Sequence, residues 1–193
     1  MINVEQLEKI KEFALKLDWD LAFEGKAKGN RHLFRIVKKA KELATTHDLD
    51  ISIVEAGAWL HDSNLEKTVT GSTLENRENV MKLLKEMGIS EIDQQKTVHC
   101  IEAHDGRVPA TTMEAKIVHD ADTLEKMGPL GIIRETWKRA QIGWNSEKII
   151  EHLKTHLKKR ENVLYTSEAK EEAKRLNLIL ENFFGIIDEQ LKE

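Results

Sequence analysis

The sequence predicts an all-α protein built as a single-domain helical bundle, on three observations. Almost every segment with a readable period carries the helical one, with apolar residues three and four apart. No alternating strand pattern of useful length occurs, and there is no internal repeat or low-complexity stretch. Only two prolines and ten glycines interrupt 193 residues, so long helices can run on.

Taken in order, Val4 to Leu17 reads as a short amphipathic helix, and Asp18–Asn30 as a connection built around Gly25, Lys26, Lys28 and Gly29. From Arg31 to Ala44 the residues Leu33, Phe34, Ile36, Val37, Ala40, Leu43 and Ala44 make one apolar stripe. Leu49 to Leu60 is apolar nearly all round, which predicts a helix at the centre of the molecule. A turn follows over Ser63–Gly71. Ser72 and Glu75 have the spacing of a capping box for a helix running through Met87. Gly88-Ile89-Ser90 breaks that helix, the next runs from about Glu91 to His104, and Asp105–Pro109 is the strongest loop signal in the chain. Helices then continue through Met127, from about Leu130 to Ile142, from Ser146 to Val163, and from Ser167 nearly to the end.

Composition narrows the functions. Hydrophobic residues make up 40% and charged residues 33%, ordinary values for a soluble domain with a sizeable core. No stretch approaches the ~20 apolar residues that a membrane span needs. The first residues lack the zones of a signal peptide, and the single Cys100 cannot form an internal disulfide, so a cytoplasmic setting is expected. A net charge of −4, with acids and bases mixed along the chain, argues against binding long nucleic acid through its backbone. An anionic small substrate stays open, because a bound metal and a few local bases can reverse the sign inside a pocket.

Eight histidines are the natural carriers of chemistry. The dipeptide His-Asp occurs four times, so context must separate ligands from bystanders. His61-Asp62 ends the apolar run Ile53–Leu60 and shares a helix face with Val54, Gly57 and Ala58, small residues that let another helix come close. A histidine and a carboxylate at the end of a buried helix are costly unless satisfied. A divalent cation satisfies both, and a helix-ending histidine beside a capping aspartate is the plainer alternative. His32 lies in the stripe of Ile36, Ala40 and Leu43 and points inward. In Glu114–Gly128 the core stripe is Ile117, Ala121 and Leu124. Asp120 flanks it on one side and Asp122 on the other, and periodicity does not choose between them.

The blocks Arg-His32-x-x-Arg-Ile-Val, Ala-Trp-Leu-His61-Asp62, Ile-Glu-Ala-His104 and Ile-Val-His-Asp-Ala-Asp122-Thr-Leu together resemble the HD-domain superfamily of metal-dependent phosphohydrolases. They span about Arg31 to Arg134 in the family's order, and the order is more specific than any one block. The resemblance implies a single helical domain over 1–193, with a motif core of about 31–134 onto which the helices of about 146–192 pack. It implies metal ligands at His32, His61, Asp62 and, through the Ala-Asp-x-Leu pattern, Asp122, with Asp120 as the substitute. One divalent ion per chain is expected: Mn, Mg, Co, Ni or Fe. Such an ion activates water and neutralises phosphoryl charge. The reaction implied is hydrolysis of a small phosphate ester or anhydride, with a nucleotide as the expected substrate. His104 and Asp62 are the catalytic candidates, and Glu66, one turn beyond Asp62, is a further possible base. Arg31, Lys126 and Arg134 are candidate phosphate contacts.

Two departures matter. Many small relatives carry another His-Asp pair just upstream of the first ligand, where this chain has Glu24–Asn30, which leaves the substrate open. His99 and His104 are five apart and do not share a helix face, so one metal is expected rather than two. The alternatives are a metal-binding regulatory or scaffold domain without turnover, and a di-iron oxygenase, which needs more histidines than can be placed. Oligomeric state is open, a homo-oligomer included. His47, His119, His152 and His156 read as bystanders, although His152 and His156 have i,i+4 spacing. Cys100 and the four tryptophans read as packing residues.

Overall fold

The structure is a computed structural model that describes residues 1–16, 31–63 and 73–192, with side chains except at 16, 73–76 and 158. The expected connection at 18–30, the turn beyond Ser63, the Ser72/Glu75 capping box, Glu66 and Trp19 all lie outside the described residues. Among those described, every regular element is a helix. None is long and apolar enough to cross a membrane.

The described residues form two compact units, Met1–Ala121 and Asp122–Glu193. In the first, α1 is Val4–Lys16, α2 Arg31–Ala44, α3 Ile51–Leu60, α4 Thr73–Glu86 and α5 Glu91–Ala103. Helix α6, Met113–Glu125, begins in the first unit and ends in the second.

Helix α3 is the centre of the first unit, packing against α1, α2 and α5. Its all-round apolar sequence is the reason: Ile53, Val54 and Ala56 to Leu60 are all buried. It starts two residues later than the sequence pattern suggests, because the Asp50 carboxylate accepts from the Ser52 N–H at 2.9 Å and fixes the helix start there. The small residue at Gly57 permits the close approach expected of it. A Cβ there would lie 2.5 Å from Cys100 Cβ, so α3 and α5 are in backbone-level contact. Cys100 is fully buried in that contact, and burial pushes its thiol pKa well up.

In the second unit, α7 is Gly128–Gln141, α8 Ser146–Lys159, and α9 Ser167–Gln190. Pro129 sits in the first turn of α7 and moves its start ahead of Leu130, while Gly128 supplies the positive φ of 60° that precedes it. The expected helix to Val163 instead tightens into a 3-10 turn over Arg160–Val163. Ile149, Leu153, Leu157, Leu180 and Phe184 make the core between α8 and α9. The tryptophans depart from expectation: Trp59 is buried and Trp144 half-buried, but Trp137 is exposed.

Candidate metal centre

Helix ends carry two of the key imidazoles. His61 caps the C-terminus of α3 and His104 that of α5, where the last carbonyls have no partner within the helix. Each ring uses one of them. His61 Nδ1 lies 2.7 Å from the Ala58 carbonyl, and His104 Nδ1 lies 2.7 Å from the Ile101 carbonyl. A carbonyl oxygen only accepts, so Nδ1 must carry the proton in both rings, and each neutral ring keeps its lone pair on Nε2. Two copies of one local device thus aim two basic nitrogens inward.

His32, fully buried on α2, meets them. Its Nε2 is 3.2 Å from His61 Nε2 and 3.3 Å from Asp62 Oδ2, and His61 Nε2 is 3.4 Å from the same oxygen. His104 Nε2 faces the other Asp62 oxygen, Oδ1, at 3.7 Å. The His32 and His104 rings each meet the His61 ring edge-on, with centroids 5.2 Å apart. Three electron-pair donors this close, with the histidines fully buried and Asp62 7% exposed, repel one another unless a proton or a cation lies among them. An ion bonded about 2.1 Å from each donor spaces neighbouring donors about 3.0–3.4 Å apart. The measured triangle fits that spacing, and imidazole with carboxylate suits Mn, Fe, Co or Zn-like ions.

Asp122, 1% exposed on α6, forms with His32 and His61 a group whose ligand atoms all lie within 4.8 Å of one another. Its Oδ2 also accepts from Lys126. Asp120 is fully buried as well, but it lies beside His119, Nδ1 to Oδ1 3.3 Å. Residues Ile117 to Leu124 are buried without exception, so this stretch of α6 has no solvated face. His119, read from sequence as a bystander, is therefore an inward residue with a buried acidic neighbour.

The candidate phosphate contacts are differently placed. Arg31 is exposed at the start of α2. Lys126 pairs with Asp122, and Arg134 pairs with Glu125. His99 takes no part in the group: its Nε2 accepts from the Thr111 N–H at 3.0 Å and lies 2.9 Å from the Thr111 hydroxyl, holding the loop before α6. Sequence reasoning also passed over Glu135, Arg139 and Arg160, which gather around His152 and His156 in the second unit. The i,i+4 histidines were the one signal for them.

No family model matches the chain, and no curated protein does. Solved structures do. The crystal structure of Bacillus subtilis YpgQ is 21% identical, with 99% of this chain and 98% of that one covered at a TM-score of 0.78. YpgQ in complex with ADP matches at 0.76, covering 96% and 98% at 21% identity. An HD-superfamily hydrolase from Bacillus thuringiensis is 23% identical, with 96% of each chain covered and a TM-score of 0.75.

Proposed function

We propose that this chain, which has the all-α fold of the HD-superfamily hydrolases, is a metal-dependent phosphohydrolase acting on a small phosphate ester or anhydride, with a nucleotide as substrate. One observation carries the reading: two fully buried imidazole Nε2 atoms and a carboxylate oxygen converge within 3.4 Å. His32, His61 and Asp62 would hold one divalent ion, with Asp122 as the fourth ligand. When bound, the ion lowers the pKa of water and offsets charge on a phosphoryl group. The chain's residues supply the rest. The Ala58 carbonyl keeps His61 in the tautomer that ligates, the role an outer hydrogen bond plays around many metal-bound histidines. Asp62 divides its oxygens, with Oδ2 toward the two ligating rings and Oδ1 toward His104. His104, with Nδ1 committed to Ile101, is left with Nε2 as the position where a proton for the leaving oxygen can be held or passed.

The complex of YpgQ with ADP supports a nucleotide as the substrate class. The lone cysteine, buried beside Gly57, suits a cytoplasmic protein. Stripping the metal from the purified protein should abolish phosphate or pyrophosphate release across a nucleotide panel, and adding Mn, Mg, Co, Ni or Fe should restore it. Release that survives chelation, or none with any metal on any nucleotide or sugar phosphate, would overturn the proposal.

A further inference from the structure

The second unit holds a cluster that the proposed hydrolysis does not use. Glu135 on α7 is 6% exposed and is surrounded by bases. Its Oε2 lies 3.2 Å from Arg139 Nη2 and 3.7 Å from His152 Nε2, and its Oε1 lies 3.6 Å from Arg160 Nη2. Arg160 Nη2 also donates to His156 Nε2 at 2.9 Å. The two histidine rings stack with centroids 4.7 Å apart, and Trp144 meets His152 edge-on. Arg139 and Lys148 both lie over the Trp144 ring, at 5.0 and 4.2 Å from its centroid.

Charge and hydrogen bonding decide what this cluster takes. Burial alone would raise the Glu135 pKa, yet Lys138, Arg139 and Arg160 outweigh it and hold the carboxyl below its usual range. Three positive charges thus act on one buried carboxylate, while Arg160 also feels the Asp122 carboxylate and Arg134. The Nε–H groups of Arg139 and Arg160 are buried and have no hydrogen-bond partner, and neither does Glu135 Oε2 or His152 Nε2. A guanidinium only donates, so a buried Nε–H without an acceptor is destabilising until an acceptor reaches it. A metal ion between Glu135, His152 and His156 is the rival occupant. It would sit against two guanidiniums, and the lone pair it needs from His156 is already taken by Arg160.

We propose that this cluster is a phosphoryl-binding site, in which Arg139 and Arg160 bind an oxyanion of the phosphate or pyrophosphate class while Glu135 holds the two guanidiniums in place. Guanidinium forks match phosphoryl oxygens in shape and charge. The proposal does not rest on metal-dependent hydrolysis.

The test is an NMR titration of the full chain with inorganic pyrophosphate, following the arginine Nε–H signals, assigned through Arg139→Lys and Arg160→Lys. Both signals should move in one saturable transition, and each lysine variant should weaken binding by at least about tenfold, because lysine loses the fork. His61→Ala should keep the transition, so a chain that fails to hydrolyse still reports on this site. Where Arg160→Lys does not fold, Arg139→Lys carries the same comparison. Unmoved Nε–H signals, or equal affinity in Arg139→Lys, would overturn the proposal. So would uptake of Ni or Zn that depends on His152 and His156, which would make the cluster a metal site.

Discussion

Two groups of two histidines and a carboxylate are found among the described residues, His32–His61–Asp122 and Glu135–His152–His156. By residue type they are equivalent, and each places its ligand atoms within 4.8 Å. Their surroundings are opposite. Around the first, Asp62 brings a further carboxylate oxygen within 3.4 Å of both rings, and the Ala58 carbonyl fixes His61 so that Nε2 keeps its lone pair. Around the second, Arg139 and Arg160 hold the carboxylate, and a guanidinium occupies one imidazole lone pair. A ligand set therefore does not define a metal site. The charges and hydrogen bonds around it decide whether a cation or an anion is welcome.

The comparison can be sharpened by variants, the largest effect first. His104→Ala should lower turnover about 10²–10⁴-fold, the usual contribution of a positioned acid or base. Metal affinity should fall far less, since this ring faces Asp62 Oδ1 and not Oδ2, the oxygen that would ligate an ion with His32 and His61. A substrate with an unreactive leaving group should suffer more than p-nitrophenyl phosphate, whose leaving group departs without a proton. Equal losses on both would make His104 a positioning residue only. Asp122→Asn should weaken metal binding at least about tenfold, and Asp120→Asn less, measured by competition with a fluorescent indicator. The reverse order would give the fourth position to Asp120. Gly57→Ala should cost about 1–3 kcal/mol of stability by pressing a methyl against Cys100 Cβ. Denaturant unfolding reads this directly, and an unchanged midpoint would mean that α3 and α5 can separate at little cost.

Much of the fold was legible because its signals are local. The stripe of α2 and the all-round apolar run of α3 each state how much of the helix is buried, and those helices lie where the pattern put them. Element ends were less legible, since Asp50, Pro129 and the 3-10 turn after Lys159 shift them by a few residues. The candidate site divides in the same way. His32, His61 and Asp62 stand on strongly patterned helices, and the structure brings them together. Asp120 and Asp122 could not be separated by period, because this stretch of α6 is buried on every side and a period needs a solvated face to show. For the same reason the burial of His119 did not show in the sequence. The arginines around Glu135 gave no signal of their own, and only the i,i+4 spacing of His152 and His156 pointed to that place. Arg139 and Arg160 are spread along an ordinary basic sequence, and only folding brings both to Glu135.

The central claim is that the first histidine group holds the metal and the second does not. Metal analysis of the purified protein beside His61→Ala, His152→Ala and His156→Ala tests it most directly, with circular dichroism to show that each variant is folded. The account predicts about one divalent ion per chain in the parent and in both second-unit variants, and essentially none in His61→Ala. Full metal content in His61→Ala, or its loss in His152→Ala or His156→Ala, would contradict it.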